Sequence, residues 1–363
     1  MTSTNRLRIL YIAYPLLPVS DESAGGAEQM LSVLERQMHK LGHRTAVAAC
    51  DGSKVAGEML ATGPAPTEAD RFEQRDAEHN ARVVEFIRER ERRGDGFDLV
   101  HDESGHFWRH ALALPIPVLA TVHLPRSFYD EQMFGNYGPN LYFNCVSRSQ
   151  LESFQDLPKM MGVVENGIEV TRFPFAERKR DYLLWMGRIC QEKGTHVAID
   201  VAEDRGISLI IAGQVYPFSY HQDYFRREVV PRLERTSVRI QFVQRPSFTE
   251  KLNLLQNARA LLIPALADET SSLVAMEAMA CGTPVIAFRR GALPEVIADG
   301  QTGILVNSAE EMTEATEHVR EISPQRCRAR VEALYDSIRM TRDYEELYGR
   351  VLAESSLTSA RSA

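Results

Sequence analysis

Two glutamates lie in a segment whose residue types suit the binding of a charged, hydroxyl-rich ligand. The segment is Asp268–Pro284, DETSSLVAMEAMACGTP, in which Glu269 and Glu277 are eight positions apart. A helix is predicted to begin near Ser271, and the unpaired amide groups of its first turn would bind a phosphate. The two carboxylates would then accept hydrogen bonds from sugar hydroxyls on either side. The alternative is a capped surface helix in which the acids have no such role.

A second segment carries two cations close together. It is Leu184–Thr195, LWMGRICQEKGT, in which a strand is predicted to end at Met186 and Gly187 permits a tight turn. Arg188 and Lys193 follow at the carboxyl end of that strand. Two positive charges there could neutralise a departing diphosphate, on which the largest charge develops when a glycosyl–phosphate bond breaks. Ordinary solvated loop charges are the alternative.

Three further features lie at the ends of predicted strands. The loop Ser23–Glu28 joins the first strand to the first helix and contains Gly25 and Gly26. His123 closes the strand sequence VLATVH, and Gly213 closes SLIIAG. Each feature also has a purely structural interpretation, namely a flexible turn, a structural histidine and an ordinary strand end.

A run of polar residues could instead bind a metal ion. His101, Asp102, Glu103, His106 and His110 lie in one short stretch, and the last two have the i, i+4 spacing that can bind zinc on a helix face. The H-E-x-x-H order of zinc-binding helices is absent, and the neighbouring aromatic residues indicate an amphipathic helix instead. We therefore expect no metal site, and we assign His101 and Asp102 an acceptor-side or capping role.

The elements that must position these residues follow from the alternation of short apolar runs with amphipathic segments. This alternation predicts parallel strands with helices on both faces of the sheet. Helices are predicted over Ala27–Leu41, with Gly42 at the C-terminal cap, and over Thr67–Arg93. The predicted strands are Arg8–Tyr14, Thr45–Cys50, Phe97–His101, Pro117–His123, Leu141–Ser147, Gly162–Val164, Tyr182–Met186, Ser208–Ala212, Arg239–Val243, Leu261–Pro264, Val285–Phe288 and Gly303–Val306.

The pattern restarts after Phe173-Pro174, which predicts two successive doubly wound α/β units. We assign residues 1–170 to a first domain and 171–340 to a second, and we expect a helix over 341–363 to pack back on the first. Ligands of open parallel sheets bind beyond the carboxyl ends of the strands. Two facing domains would therefore share one site in the cleft between them.

Composition narrows the class of protein. A chain of 363 residues with 44% hydrophobic and 25% charged residues is typical of a two-domain globular protein. A net charge of −8 argues against a nucleic-acid partner, because phosphate backbones require a basic surface. The five scattered cysteines contain no CxxC pair, so neither a zinc ribbon nor a disulfide framework is predicted.

The distribution of apolar residues gives an expectation of cellular location. The start of the chain, Met1–Arg8, is short and polar, which is unlike a signal peptide. Apolar runs stay well short of the ~20 residues that span a bilayer. We therefore expect a soluble, cytoplasmic protein, and weak association with a membrane surface is left open.

Taken together, these motifs resemble those of the retaining glycosyltransferases of family 4. That family usually reads E-P-F-G-L-V-x-x-E-A-x-A-x-G-x-P-V, and this chain matches it at Leu273-Val274, Glu277-Ala278 and Gly282–Val285. The departure is Thr270–Ser272, which replaces Pro-Phe-Gly and leaves the acids in place.

Four other motifs extend the resemblance over nearly the whole chain. Arg188 and Lys193 match the G-R-x-x-x-x-K-G element, and Gly25-Gly26 matches the glycine loop of the first domain. The sequence TVH matches the T-x-H position, and Asn166-Gly167 resembles the N-G-[IV] turn that introduces the second domain.

The resemblance implies the GT-B fold, in which two Rossmann-like domains face each other. It also implies that the N-terminal domain binds a sugar, glycan or small-molecule acceptor and that the C-terminal domain binds a UDP-, GDP- or ADP-sugar. Transfer would retain the anomeric configuration, with no cofactor and no obligatory metal. The implied catalytic residues are Glu269, Arg188, Lys193 and His123. The implied donor-binding residues are Gly25, Gly26, Gly187, Gly213, Ser271, Ser272, Leu273 and Glu277.

Two other functions stay open, and a third is disfavoured. A nucleotide-sugar epimerase can share this fold, and a catalytically silent sugar-nucleotide-binding protein would keep the same polar groups. An NAD oxidoreductase is disfavoured, because the G-x-G-x-x-G fingerprint is absent from the first loop. The donor base, the sugar, the acceptor and the oligomeric state do not follow from the sequence.

Overall fold

The chain folds into two compact units, and the computed structural model describes residues 6–23, 25–66, 72–135 and 137–362 of it. The first unit comprises Met1–Gly167 and Ser337–Ala363, and the second comprises Ile168–Asp336. The chain thus leaves the first unit after Gly167, slightly before the boundary placed after residue 170, and returns to it at Ser337.

Parallel strands form the sheet of the first unit. The strands that the structure describes there are β1 (Arg8–Ile12), β2 (Arg44–Ala49), β3 (Glu58–Ala61), β4 (Leu99–Asp102), β5 (Val118–Val122), β6 (Leu141–Cys145) and β7 (Met160–Val163). They lie in the order β3-β2-β1-β4-β5-β6-β7. The order reverses between β1 and β4, which is where ligands bind in open α/β sheets. Strands β1, β2, β4, β5 and β6 are almost wholly buried, which explains their continuous apolar sequences.

The helices after β1 and β3 cover this sheet. They are α1 (Gly26–Lys40) and α2 (Phe72–Arg92), and a short α3 (Arg148–Glu152) follows β6. The helix predicted over Ala27–Leu41 is confirmed as α1, which ends before Gly42 at a φ of 94° that glycine adopts without strain. Helix α2 confirms most of the predicted Thr67–Arg93 helix, whose first residues, 67–71, lie outside the described part of the chain.

The second unit repeats the design with a sheet in which every pairing is parallel. Its strands within the described residues are β8 (Leu183–Arg188), β9 (Leu209–Gln214), β10 (Ile240–Gln244), β11 (Ala260–Ile263), β12 (Val285–Phe288) and β13 (Gly303–Val306). They lie in the order β10-β9-β8-β11-β12-β13, which is the order of a Rossmann fold. The reversal lies between β8 and β11, so the loops that follow these two strands meet at the carboxyl edge.

Helices connect the strands of the second unit. They are α4 (Thr195–Arg205), α5 (Ser219–Tyr224), α6 (Val230–Arg235), α7 (Phe248–Asn257), α8 (Leu273–Ala280), α9 (Leu293–Val296), α10 (Ala309–His318) and α11 (Pro324–Leu334). A π-helical segment, Phe225–Val229, lies between α5 and α6. Short 3₁₀ helices of the two units are Phe107–Ala113, Arg126–Phe128, Glu131–Phe134, Val170–Arg172, Gln191–Lys193 and Val319–Glu321.

The last helix, α12 (Ser337–Ser362), belongs to the first unit. Its Tyr344 and Tyr348 are buried, and the Tyr348 hydroxyl lies 2.7 Å from Nδ1 of His101 in β4. Helix α12 also packs against α1. The tail of the chain therefore completes the core of the first unit.

The prediction of two doubly wound units is confirmed, with one strand missed. Strand β3 is a four-residue edge strand that is partly exposed, and its sequence EMLA has no strong alternation. Within the described residues, no helix has a stretch both long and apolar enough to cross a membrane.

Candidate functional site

The carboxyl edge of the second sheet brings three predicted residues onto two adjacent loops. Arg188 is the last residue of β8, Lys193 ends the 3₁₀ turn that follows, and Glu269 lies in the loop after β11. Nζ of Lys193 donates a hydrogen bond to Oε1 of Glu269 at 2.5 Å. The two side chains remain 31% and 11% exposed, so a ligand can reach the pair.

Backbone contacts hold these two loops together. Gly194 adopts a φ of 65°, and a Cβ there would lie 2.0 Å from the carbonyl oxygen of Pro264. The amide of Leu266 donates to the carbonyl of Glu192 at 2.8 Å, and the Trp185 indole donates to the carbonyl of Lys193 at 3.1 Å. The position of Lys193 relative to the loop after β11 is therefore fixed by the backbone rather than by its own side chain.

Arg188 presents a free positive charge at this edge. Its side chain is exposed, and among the described residues its guanidinium has no hydrogen-bond or ion-pair partner. Burial and, to a smaller extent, the charge of Arg188 lower the pKa of His221 in α5. An unpaired guanidinium beside a lysine is suited to bind an anionic group.

The two predicted glycines of this edge, Gly187 and Gly213, face each other in adjacent strands. A Cβ on Gly213 would lie 2.0 Å from the carbonyl oxygen of Gly187, so only glycine fits there. A Cβ on Gly187 would meet only the Trp185 ring, at 3.8 Å. Gly213 is thus needed for strand pairing, whereas Gly187 leaves a bare backbone at the edge.

Helix α8 begins at Leu273, so the predicted start near Ser271 is wrong by two residues. Ser272 is the N-cap and makes no side-chain capping bond, and Ser271 lies in the preceding loop. The first backbone bond of the helix joins the amide of Met276 to the carbonyl of Ser272. The amides at Leu273 and the two residues after it therefore have no carbonyl of their own helix to bind.

Glu277 lies on the buried side of α8 and has a partner that the sequence did not predict. Its side chain is 4% exposed, and its Oε1 accepts a hydrogen bond from Nζ of Lys251 in α7 at 2.5 Å. A buried carboxylate requires such a partner. That requirement was predictable, but the identity of Lys251 was not, because it lies 26 positions away on another helix.

The backbone of Glu269 is held by a glycine that sequence analysis also missed. Gly291, after β12, has a φ of 53°, and a Cβ there would lie 2.3 Å from the carbonyl oxygen of Glu269. The amide of Ala292 donates to the same carbonyl at 2.7 Å. A glycine three residues beyond the end of the predicted strand Val285–Phe288 was the available signal.

In the first unit, His123 follows β5 and is anchored by Glu103. Nε2 of His123 forms a short hydrogen bond with Oε2 of Glu103, and Oε1 of Glu103 lies 3.1 Å from Nε2 of His101. His123 is 13% exposed, whereas Glu103 and His101 are buried. Glu103 therefore orients the one side chain of the three that solvent reaches.

His101 and Asp102 are both fully buried, so neither can touch an acceptor in this conformation. Burial lowers the pKa of His101 to about 4, and its ring nitrogens contact Tyr348 and Thr121. Burial raises the pKa of Asp102 to about 6, and its carboxylate accepts hydrogen bonds from the amides of Ser104 and Trp108. Of the two predicted roles, capping thus describes Asp102, and both residues support the fold.

His106 and His110, whose spacing was weighed as a zinc-binding pattern, are not arranged as zinc ligands on one helix face. His110 lies within the 3₁₀ helix Phe107–Ala113 and His106 is its N-cap, so the i, i+4 spacing no longer places them on one face. Nε2 of His106 instead lies 2.8 Å from the Tyr14 hydroxyl.

The glycine loop of the first unit lies at the start of α1. Gly26 is the first residue of the helix and Gly25 is its N-cap. The Glu28 carboxylate lies over Gly25, at 1.9 Å from where a Cβ would be. Ala24 of the same motif lies outside the described residues.

Comparisons with known proteins match both parts of the chain to glycosyltransferase families. Residues 168–333 match the family model of glycosyl transferases group 1, and residues 24–172 match that of glycosyltransferase family 4. The chain is 37% identical over 151 residues to glycogen synthase of Mycobacterium tuberculosis, covering 39% of this chain and 35% of that protein. It is 39% identical over 263 residues to D-inositol 3-phosphate glycosyltransferase of Mycobacterium bovis, covering 61% and 54%. The matches thus span less than two thirds of these relatives.

Solved structures show the same fold over nearly the whole chain. Sucrose-phosphate synthase of Thermosynechococcus elongatus superimposes with a TM-score of 0.78 at 20% identity, covering 96% of this chain and 100% of that one. Anabaena HepE in complex with UDP-glucose superimposes with a TM-score of 0.74 at 16% identity, covering 95% and 100%. The two Rossmann-like units and the two family models, which together match most of the chain, lead to one conclusion. This chain is a member of glycosyltransferase family 4 and has the GT-B fold.

Proposed function

We propose that this protein transfers a sugar, with retention of anomeric configuration, from a nucleoside-diphosphate sugar to an acceptor hydroxyl without a catalytic metal. The observation that carries the proposal is the meeting of Lys193 and Glu269 beside the unpaired Arg188, at the strand-order reversal of the second sheet. This edge combines the two groups that such a donor requires, namely cations for the diphosphate and a carboxylate for the sugar hydroxyls.

In this proposal, preorganised positive charge stabilises the departing diphosphate. Arg188 and Lys193 bind its oxygens, and the amide groups at Leu273 add the partial positive charge of a helix N-terminus. Ser271 and Ser272 line the approach to that terminus. Charge on the leaving oxygen grows as the glycosyl bond breaks, so these groups stabilise the transition state more than the bound donor.

Glu269 has two successive partners in this scheme. Without donor it neutralises Lys193, and with donor it accepts hydrogen bonds from the sugar while Lys193 turns to the diphosphate. Gly291 holds the backbone of Glu269, so the carboxylate alone has to move.

Glu277 binds the ribose of the donor, and Lys251 keeps its carboxylate in place. The bare backbone at Gly187 gives the nucleotide room to approach the sheet edge, and the close pairing of Gly213 holds that backbone in place. The role of His123 at the donor sugar follows from the family resemblance alone, and within the first unit Glu103 sets the orientation of its ring.

The acceptor proton has a defined destination. The acceptor oxygen forms the new bond to the anomeric carbon on the face from which the diphosphate departs, and the glycosyl–phosphate bond breaks with its electron pair on the phosphate oxygen. That oxygen then takes the acceptor proton. Attack and departure on the same face retain the configuration, and no protein base is required.

The comparisons support a nucleotide-sugar donor but not one particular base. HepE is in complex with UDP-glucose, and the catalytic domain of starch synthase IV from Arabidopsis thaliana is bound to ADP and acarbose. The names of the curated relatives point to different products, so the proposal specifies only that the acceptor carries a hydroxyl group.

A product assay tests the proposal. The protein, treated with EDTA, is incubated with UDP-, GDP- and ADP-sugars and with glucans or inositol phosphates as acceptors. Release of nucleoside diphosphate that requires an acceptor, with an NMR spectrum showing the donor's anomeric configuration in the product, is expected. Isomerisation of the donor sugar without acceptor would identify an epimerase, and donor binding without turnover would identify a silent binding protein.

The variant Glu269→Gln tests the role of the ion pair. Because Glu269 competes with diphosphate for Lys193, we expect this variant to bind the free nucleoside diphosphate at least as tightly as the wild type. The extra affinity contributed by the sugar, and transfer itself, should be lost. A variant that binds the free nucleotide much more weakly would contradict the two-partner scheme.

A further inference from the structure

A cluster of three metal-ligating side chains lies beside the loop that carries Arg188 and Lys193. Cys190 and Glu192 are in that loop, and His221 is in α5, after β9. The Cys190 sulfur, a Glu192 carboxylate oxygen and an imidazole nitrogen of His221 all lie within 4.8 Å of one another.

Three polar atoms of this cluster are buried without a hydrogen-bond partner among the described residues, whereas the Cys190 sulfur donates to the carbonyl of Arg188 at 3.6 Å. His221 is fully buried, and within the part of the chain that the structure describes neither of its ring nitrogens has a hydrogen-bond partner. Oε2 of Glu192 is buried and unpartnered as well. Buried histidines nearly always bond through at least one nitrogen, so the arrangement indicates a ligand-binding site.

Aromatic rings pack around the imidazole of His221. Tyr220 lies 4.3 Å from the His221 ring, centroid to centroid, and Phe218 lies at 5.3 Å. Both contacts have edge-to-face geometry, so aromatic rings enclose the imidazole.

We propose that Cys190, Glu192 and His221 bind one Zn²⁺ ion. One sulfur, one imidazole nitrogen and one carboxylate form a ligand set that zinc accepts, and a water molecule would complete the tetrahedron. Ligand atoms of tetrahedral zinc are about 3.4 to 3.8 Å apart at bond lengths of about 2.1 to 2.3 Å, so the observed cluster requires only small adjustments. The Cys190 thiol releases its proton to solvent when the sulfur binds.

This inference goes beyond the proposed transfer reaction and assigns the ion no step in it. The ion would join the loop after β8 to the helix after β9, next to Arg188. It also departs from the expectation of a metal-free protein, because the ligands come from two segments 29 positions apart and form no sequence motif.

Metal binding to the full chain tests this site directly. Tag-free protein is stripped with a chelator and titrated with Zn²⁺ against a chromophoric chelator, and separately with Co²⁺ in a spectrophotometer. We expect one equivalent of tight Zn²⁺ binding, a thiolate-to-cobalt charge-transfer band, and a melting temperature that rises with Zn²⁺.

Four variants locate the ion. Cys190→Ser, Glu192→Gln and His221→Asn should each weaken Zn²⁺ binding by more than about 100-fold, beyond the effect of losing an outer-shell partner. Cys190→Ser should also abolish the cobalt–thiolate band. Cys327→Ser removes a buried thiol outside the cluster and should change neither result.

Stoichiometric binding that these three substitutions leave intact would overturn the assignment, and so would the absence of tight Zn²⁺ binding in the wild type. The chelator-treated wild type provides the folding reference for all variants. These readouts do not depend on glycosyl transfer, so either proposal can fail without the other.

Discussion

Replacing Lys251 by methionine should destabilise the second unit, because it leaves a buried carboxylate without its partner. Glu277 is 4% exposed and Lys251 18% exposed, so the pair is largely shielded from solvent. Breaking a buried ion pair by removing one partner costs about 3 to 5 kcal/mol. Since some water reaches Lys251, we expect a loss of about 2 to 3 kcal/mol in the free energy of unfolding.

This loss is large enough to measure in a unit of this size. For a unit spanning Ile168–Asp336, each kcal/mol lowers the melting temperature by about 2 to 4 °C, which gives roughly 4 to 12 °C for Lys251→Met. Calorimetry follows the whole chain, and Trp185 fluorescence in a Trp108→Phe background reports on the second unit alone, because the chain has two tryptophans. Lys251→Met should also weaken donor binding through Glu277.

A double-mutant cycle separates the pair from the loss of the lysine stem. Glu277→Gln together with Lys251→Met should recover about 1 to 2 kcal/mol relative to the sum of the single variants. As a control, Arg226→Met breaks an ion pair with Asp223 whose side chains are 69% and 47% exposed, and stability should hardly change. A coupling energy below about 0.5 kcal/mol for the buried pair would refute the reasoning.

Three further predictions concern both units. Gly194→Ala should lower the melting temperature more than Gly206→Ala. The two glycines have similar φ values, 65° and 63°, but only at Gly194 would the added Cβ meet a backbone oxygen. Equal melting temperatures of the two variants would contradict this. Glu103→Gln should lower kcat for transfer and leave the nucleotide affinity unchanged, because His123 loses the carboxylate that anchors it. A change in nucleotide affinity with kcat unaltered would contradict this prediction. Because burial lowers the pKa of His101 to about 4, the unfolded state alone binds its proton between pH 6.5 and about 4, and stability should fall there as pH decreases. Urea unfolding should show that His101→Gln reduces this slope by about 1.4 kcal/mol per pH unit.

Sequence patterns predicted what depends on local chemistry. Continuous apolar runs indicated the buried strands, and a glycine or charged residue after a run marked the carboxyl edge where Arg188 and Lys193 lie. The start of α8 was misplaced because Ser271 and Ser272 are equally good N-cap residues, and only the backbone geometry distinguishes them.

Contacts between distant segments could not be predicted in this way. Nothing near Glu277 specifies Lys251, and the unpaired histidine of the candidate zinc site becomes visible only when β8 and β9 lie side by side. The burial of His101 was unpredictable for the same reason, because the helix that buries this residue, α12, comes from the far end of the chain.

The most direct test of the proposed donor site is calorimetric titration of the wild type and of Arg188→Ala with UDP, GDP and ADP. One of these nucleotides should bind the wild type, and the loss of a charged hydrogen bond of about 1.5 to 3 kcal/mol should weaken its binding about 10- to 140-fold in the variant. Arg235→Ala, at the exposed end of α6, should bind like the wild type. No binding of any nucleotide to the wild type, or equal binding to Arg188→Ala, would contradict a diphosphate site at the carboxyl edge of the second sheet.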